Sequence, residues 1–116
     1  MFGRVYWTSL ACRYGDKVGM IAELCESQET VNFLIYEFDK DGSHELLGSI
    51  PATISARLAQ ALWTVRWVDD TDDVDGIFEA RGGLPEFFFE ARQGADCASS
   101  GMEPTCMLRV EPAKND

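Results

Sequence analysis

The segment Ile50 to Val68 constrains the fold of this chain more than any other part of the sequence, because a helix drawn through it is apolar on two opposite sides. At about 100° per residue, one side gathers aliphatic residues and the other carries Trp63 and Trp67. Ser49 is suited to cap the N-terminus of this helix, and Pro51 is tolerated in its first turn. One apolar face is enough to dock a helix on its own domain. The tryptophan face therefore predicts a second contact, with a loop, a second subunit or a ligand.

A rival interpretation ends this helix near Trp63 and makes Thr64 to Val68 a strand, because those residues have high β propensity. We favour the longer helix, since no turn signal separates the two parts of the segment.

The rest of the chain predicts β-structure. Short segments rich in β-branched and aromatic residues, bounded by polar or glycine-containing turns, are typical of strands. They are Arg4 to Tyr14, Val18 to Cys25, Val31 to Phe38, Glu45 to Gly48 and Thr105 to Glu111.

A hairpin is predicted from Ile77 to Arg81 and Glu86 to Arg92, which flank a Gly-Gly-Leu-Pro turn. Pairing Arg81 with Glu86 separates the apolar from the charged side chains, so the register follows from the pattern. Phe88 is the exception, because it is an aromatic residue on the charged face.

These elements predict the α+β class: a two-layer domain in which one main helix packs on a largely antiparallel sheet of about six to seven strands. The length favours a single globular domain over residues 1–116, with residues 112–116 as a tail.

The net charge of −10, from 20 acidic and 10 basic residues, restricts the class of partner. A nucleic-acid binder needs a basic surface to displace counterions from phosphates, and an anionic membrane has the same requirement. We therefore expect no nucleic-acid and no membrane partner, whereas a basic protein or a cation is compatible.

The N-terminal sequence and the cysteines predict a cytoplasmic protein. No basic start followed by a long apolar run comes after Met1, and no apolar run is long enough to span a bilayer. In a reducing compartment Cys12, Cys25, Cys97 and Cys106 are expected to be free thiols. The sequence leaves open a disulfide between Cys97 and Cys106.

Five aspartates follow the predicted helix and suggest a calcium loop. An EF-hand loop needs a glutamate at its twelfth position, and an alignment on Asp73, Asp75 and Gly76 puts Gly82 there. The turn after Phe38 fails in the same way, with Gly48 at position twelve. No metal site is predicted.

No catalytic residues and no cofactor are predicted either. His44 could pair with a cysteine as a nucleophile and base, but the sequence identifies no third group that would orient them. The chain is more consistent with a binding protein than with an enzyme.

The sequence thus predicts a non-enzymatic acidic binding module that acts by protein–protein contact, self-associates as a homodimer and could neutralise a basic partner. Its apolar anchors would be Trp63, Trp67 and Phe88. Its acidic rim would be Asp69, Asp70, Asp72, Asp73 and Asp75. The alternative is a cationic small-molecule binder or small enzyme, with its pocket between helix and sheet.

Overall fold

The computed structural model describes residues 2–25, 30–39, 42–66 and 85–111. They form ten strands: β1 (Phe2–Trp7), β2 (Ala11–Arg13), β3 (Lys17–Leu24), β4 (Asn32–Glu37), β5 (Glu45–Pro51), β6 (Thr53–Ser55), β7 (Leu58–Thr64), β8 (Glu86–Gln93), β9 (Asp96–Ser99) and β10 (Leu108–Glu111). The chain is therefore all-β over this range.

The strands form two sheets. Sheet A has the order β1-β3-β7-β6, and all of its pairs are antiparallel. Sheet B has the order β2-β10-β8-β4-β5, with β9 paired to β8. The β2–β10 pair is parallel, and the other pairs of sheet B are antiparallel.

Three short segments of the chain join the sheets at their corners. The chain passes from β1 in sheet A to β2 in sheet B, from β2 back to β3 in sheet A, and from β5 in sheet B to β6 in sheet A. At the last of these corners the backbone N–H of Ala52 donates to the carbonyl oxygen of Val31 at 2.8 Å. Strands that change sheets in this way make a sandwich with closed corners.

One hydrophobic core lies between the sheets. Alternate residues of the long strands point inwards, so Met20 and Ala22 of β3 share the core with Phe33 and Ile35 of β4. The Phe89 ring is central, with the rings of Trp7 and Phe33 edge-on to it at 4.8 and 5.2 Å. Such edge-to-face packing of large rings contributes more than area burial alone.

The predicted α+β class is wrong, and so is the helix from Ile50 to Val68. The segment 50–66 contains the end of β5, then β6 and β7, which form a hairpin. In β7 the pattern has period two: Ala59 and Trp63 are buried, whereas Gln60 and Leu62 are exposed. The strand mixes the two apolar sides of the predicted helix, because Trp63 shares the core with Ala61 and Val65, which the helix would place on the opposite side.

The turn between β6 and β7 explains why the hairpin escaped prediction. Ala56 and Arg57 both have positive φ, 50° and 63°. A two-residue loop with two positive φ angles is the favoured hairpin connection, and Asn or Gly normally occupies it. Neither residue is present here, so the sequence carries no turn signal.

The other strand predictions are confirmed in part. β3, β4 and β5 lie where strands were predicted, although β5 continues to Pro51. The predicted first strand is two strands, β1 and β2, separated at residues 8–10. The final strand is confined to residues 108–111.

The predicted hairpin partner of β8, Ile77 to Arg81, lies outside the described residues. β8 pairs with β4 along one edge and with β10 and β9 along the other. The predicted division of faces is confirmed within β8, because Phe87, Phe89 and Ala91 are fully buried in the core. The tail at residues 112–116 also lies outside the described residues.

No helix in the described part of the chain is long and apolar enough to cross a membrane. All four cysteines are free thiols, and Cys97 and Cys106 are not joined by a disulfide.

Candidate functional site

The outer side of sheet B carries a group of apolar and aromatic side chains, which we call the aromatic face. Its members are Leu34, Tyr36, Phe38, His44, Leu46 and Phe88. Tyr36 of β4 is paired with Phe88 of β8 on one side and with Leu46 of β5 on the other. Because paired residues point to the same side of a sheet, these three side chains share the face. A β-bulge between Ile35 and Tyr36 sets the pairing with β5.

Four rings of the aromatic face form a row. The Tyr36 and Phe88 rings are stacked, with centroids 5.2 Å apart and planes 12° apart. The His44 ring meets the Phe88 ring edge-on at 5.0 Å and stacks on Phe38 at 5.2 Å. Phe88 is only 3% exposed as a result, although it lies on the outer side of the sheet.

A backbone hydrogen bond fixes the orientation of His44. The N–H of Asp39 donates to His44 Nδ1 at 2.9 Å. An imidazole that accepts at Nδ1 in its neutral form carries its proton on Nε2. Its position between Phe38 and Phe88 indicates a structural role in closing the row.

At the other end of the row, Tyr36 meets a polar pair. The Arg92 guanidinium lies 2.9 Å from Glu90 Oε1, and the Glu90 carboxylate is close enough to Tyr36 to influence its hydroxyl. Burial, together with the neighbouring Glu90 charge, raises the pKa of Tyr36 above its ordinary value. Tyr36 therefore stays a neutral hydrogen-bond donor, suited to a contact surface.

The charges on the outer side of sheet B balance one another. Besides the Arg92–Glu90 pair, Arg109 lies 3.8 Å from Glu86, and Arg13 lies 3.9 Å from Glu111. Each pair is partly exposed to solvent, so each contributes little to stability. The three arginines and three glutamates of these pairs cancel in charge, although the whole chain has a net charge of −10.

Two of the apolar anchors predicted from the sequence, Trp63 and Phe88, lie on different faces of the sheets, one in the core and one on an outer face. Trp63 is 7% exposed and belongs to the core, where its ring lies 6.0 Å from Trp7 and 5.6 Å from Phe87. Its own chain covers it, so it does not serve as a surface anchor. Phe88 is on the outer face as predicted, but Tyr36 and His44 cover it.

Trp67 and the predicted acidic rim, residues 69–75, lie outside the described residues. The structure places none of them relative to the aromatic face.

Sequence reasoning missed Tyr36, His44 and Leu46 as members of a site. A signal was present in β4, because the segment Val31 to Phe38 is apolar on both of its alternating faces. One apolar face is enough to pack a strand on the core, so its other face is usually polar. In β4 that other face carries Leu34 and Tyr36 instead. That excess could have indicated a second apolar surface.

The described residues provide no metal centre, since no group of three or more His, Cys, Asp or Glu side chains lies close enough to hold an ion. The pocket predicted between helix and sheet has no counterpart in the described part of the chain, which contains no helix. A shallow groove of about 470 Å³ lies on the outer side of sheet A, beside Thr8, Ile21 and Leu62. Its lining carries no charged side chain, so it does not favour a cationic ligand.

No protein-family model matches this chain, and a search of curated proteins finds no match to it.

Proposed function

We propose that this protein is a non-enzymatic binding module that acts by protein–protein contact through the aromatic face, and that its partner is a second copy of the chain. The observation that carries this proposal is a neutral, ring-rich surface on a strongly acidic protein. Aromatic side chains are enriched at the energetically important centres of protein interfaces, where charged side chains are depleted.

The charge distribution favours a second copy as the partner. Two chains of net charge −10 repel each other, and this repulsion is weakest where local charges cancel. The ion pairs of sheet B supply alternating arginine and glutamate side chains, which a two-fold axis can place opposite one another. Leu46 is 52% exposed at the edge of the row, and a second copy would cover it.

Sedimentation velocity over a wide concentration range tests this proposal. We expect the wild-type chain to dimerise and the variant Leu46→Glu to dimerise more weakly by at least about tenfold in Kd, because a two-fold contact places two new carboxylates in one interface. The matched control is Leu62→Glu on the outer side of sheet A, where Leu62 is 65% exposed. It should dimerise like the wild type. A wild-type chain that stays monomeric, or equal weakening by both variants, would contradict the proposal.

A second candidate is capture of a basic protein by the acidic residues Asp69, Asp70, Asp72, Asp73 and Asp75. The support comes from the sequence, which concentrates five carboxylates within residues 69–75. The effect of added salt on binding affinity distinguishes capture of a basic protein from self-association. Screening weakens an acidic–basic complex but strengthens association between two copies of an acidic chain.

We also propose that the protein works in the cytoplasm. The support is the set of four free thiols, which a reducing compartment preserves.

A further inference from the structure

A second cavity lies away from the aromatic face, beside the free edge of β1. It has a volume of about 400 Å³, which is within the range of small-molecule sites. Residues 4–7 line one side, and Ser100, Thr105 and Cys106 line the other. Four consecutive strand residues can line one cavity only if it runs along the strand edge, because alternate side chains point to opposite faces.

The charge of this cavity is opposite to that of the chain. Its lining contains Arg4 and no acidic residue. Arg4 lies over the Tyr6 ring, with Cζ 4.8 Å from the ring centroid. Arg4 forms no ion pair in the described part of the chain, although its backbone N–H donates to Glu23 Oε1 at 3.1 Å, whereas three arginines of sheet B have glutamate partners.

Hydrogen-bond donors surround the same space. Ser100 is buried, and its Oγ accepts from the Phe89 N–H at 2.9 Å, so the hydroxyl keeps its own proton to donate. The Thr105 hydroxyl lies 3.9 Å from Cys106 Sγ on the same wall. Thr8 donates its N–H to Gly19, and by alternation the Trp7 amide points away from β3, towards the cavity side.

The remaining lining is apolar. The side chains of Leu10, Val5 and Trp7 supply hydrocarbon and aromatic surface. A ligand that fits this combination has an anionic group for Arg4 and the hydroxyls, and an apolar body for the rest. We propose that the cavity is a binding site for a small organic anion, of the class of an arylacetate.

Cys106 provides the readout, because it lines the cavity, whereas Cys97 is exposed elsewhere. The probes are phenylacetate, neutral phenylacetamide and cationic phenethylamine. Alkylation of each cysteine by iodoacetamide is followed by peptide mass spectrometry. Phenylacetate at about ten times its Kd should slow alkylation of Cys106 about tenfold and leave Cys97 unchanged, since only the free site reacts. Equal protection by phenylacetamide, or no protection by phenylacetate, would overturn the proposal.

The variant Arg4→Gln should lose this protection, and Arg57→Gln at the β6–β7 turn should keep it. A second measurement tests the site without a bound ligand, by comparing the anionic reagent iodoacetate with the neutral reagent iodoacetamide. In both reactions the cysteine sulfur displaces iodide, and the thiol proton passes to water. The rate ratio of iodoacetate to iodoacetamide should be higher at Cys106 than at the exposed thiol of Cys25, and Arg4→Gln should abolish the difference. Equal ratios in the wild type would overturn the proposal even if the variant failed to fold.

Discussion

The indole N–H of Trp7 donates a hydrogen bond to the carbonyl oxygen of Phe87 at 3.2 Å, and this bond joins sheet A directly to sheet B. It lies on the edge of β8 between the contacts with β10 and β9. There Leu108 pairs with Phe87, and Ser100 bonds Phe89 through its backbone N–H and its hydroxyl. Between β10 and β9, the backbone of β8 is therefore hydrogen-bonded by the side chains of Trp7 and Ser100.

The variant Trp7→Phe should destabilise the protein more than Trp63→Phe. Both tryptophans are buried and both changes remove similar volume, but only Trp7 has an indole bond to Phe87. We expect a difference of about 0.5–1.5 kcal/mol in the free energy of unfolding, the net value of one hydrogen bond. Urea denaturation followed by circular dichroism measures it. Equal losses in the two variants would show that the bond contributes nothing.

The variant Arg57→Gly should stabilise the protein. Arg57 has a φ of 63°, which glycine adopts without strain, and the Arg57 carbonyl still accepts from the Leu24 N–H. We expect a gain of about 0.5–1 kcal/mol, since relief of the left-handed conformation exceeds the entropy that glycine adds to the unfolded chain. Thermal unfolding measures the gain. The control Arg57→Ala keeps Cβ, and a gain in that variant would mean that the side chain, and not φ, is responsible.

The variant Gly19→Ala should destabilise the protein by about 1–3 kcal/mol through overpacking. A Cβ at this position would lie 2.7 Å from Thr8 Cγ2 and 2.8 Å from Thr8 Oγ1, and Oγ1 accepts from the Gly19 N–H. The control is Gly48→Ala in β5, where a Cβ meets nothing within 4 Å.

A double-mutant cycle with Thr8→Ala tests the cause of this loss. Because Thr8→Ala removes the two closest atoms, the cost of Gly19→Ala should fall by at least about 0.5 kcal/mol in that background. If Gly19→Ala is equally destabilising in the Thr8→Ala background, the steric clash does not involve the Thr8 side chain.

The thiol of Cys12 should ionise at a higher pH than an ordinary cysteine thiol. Its burial, with the nearby Asp16 and Glu111 carboxylates, raises its pKa from 9.0 to about 11. Alkylation of Cys12 by iodoacetamide should therefore keep accelerating up to about pH 11, whereas in urea it should level off above about pH 9. The variant Asp16→Asn should shift the folded profile to lower pH.

The same shift has a consequence for stability. Below pH 9 the Cys12 thiol is neutral in both states and contributes no pH dependence. Between pH 9 and about 11 the unfolded chain releases this proton more readily, so the free energy of unfolding falls as the pH rises. The variant Cys12→Ala should show a smaller fall over this window, and an unchanged fall would assign it to other groups.

Part of the candidate site was predictable from the sequence. The division of β8 into a core side and an outer side followed from alternation alone, and the burial of Phe87 and Phe89 confirms it. Phe88 was recognised as an aromatic residue on the outer side for the same reason. Its neighbours were not predictable, because Tyr36 and His44 belong to segments far away in the sequence.

Trp63 shows the limit of pattern reasoning for a site. Its position in a mixed apolar segment fitted either an exposed anchor or a core residue, and the core contacts with Trp7 and Phe87 decided between them. Those contacts join strands from three distant parts of the chain, so local periodicity could not provide them.

Strands β3, β4 and β8 could be predicted from local sequence, because period-two alternation and β-branched or aromatic residues act locally. The strands of the segment from Ile50 onward depend instead on contacts with distant parts of the chain. Its turn at Ala56 and Arg57 holds two positive φ angles that neither residue favours, and pairing of β7 with β3 along seven residue pairs stabilises that conformation. Contacts distant in sequence thus overrode a local helical pattern, and the same contacts moved Trp63 from a predicted surface into the core.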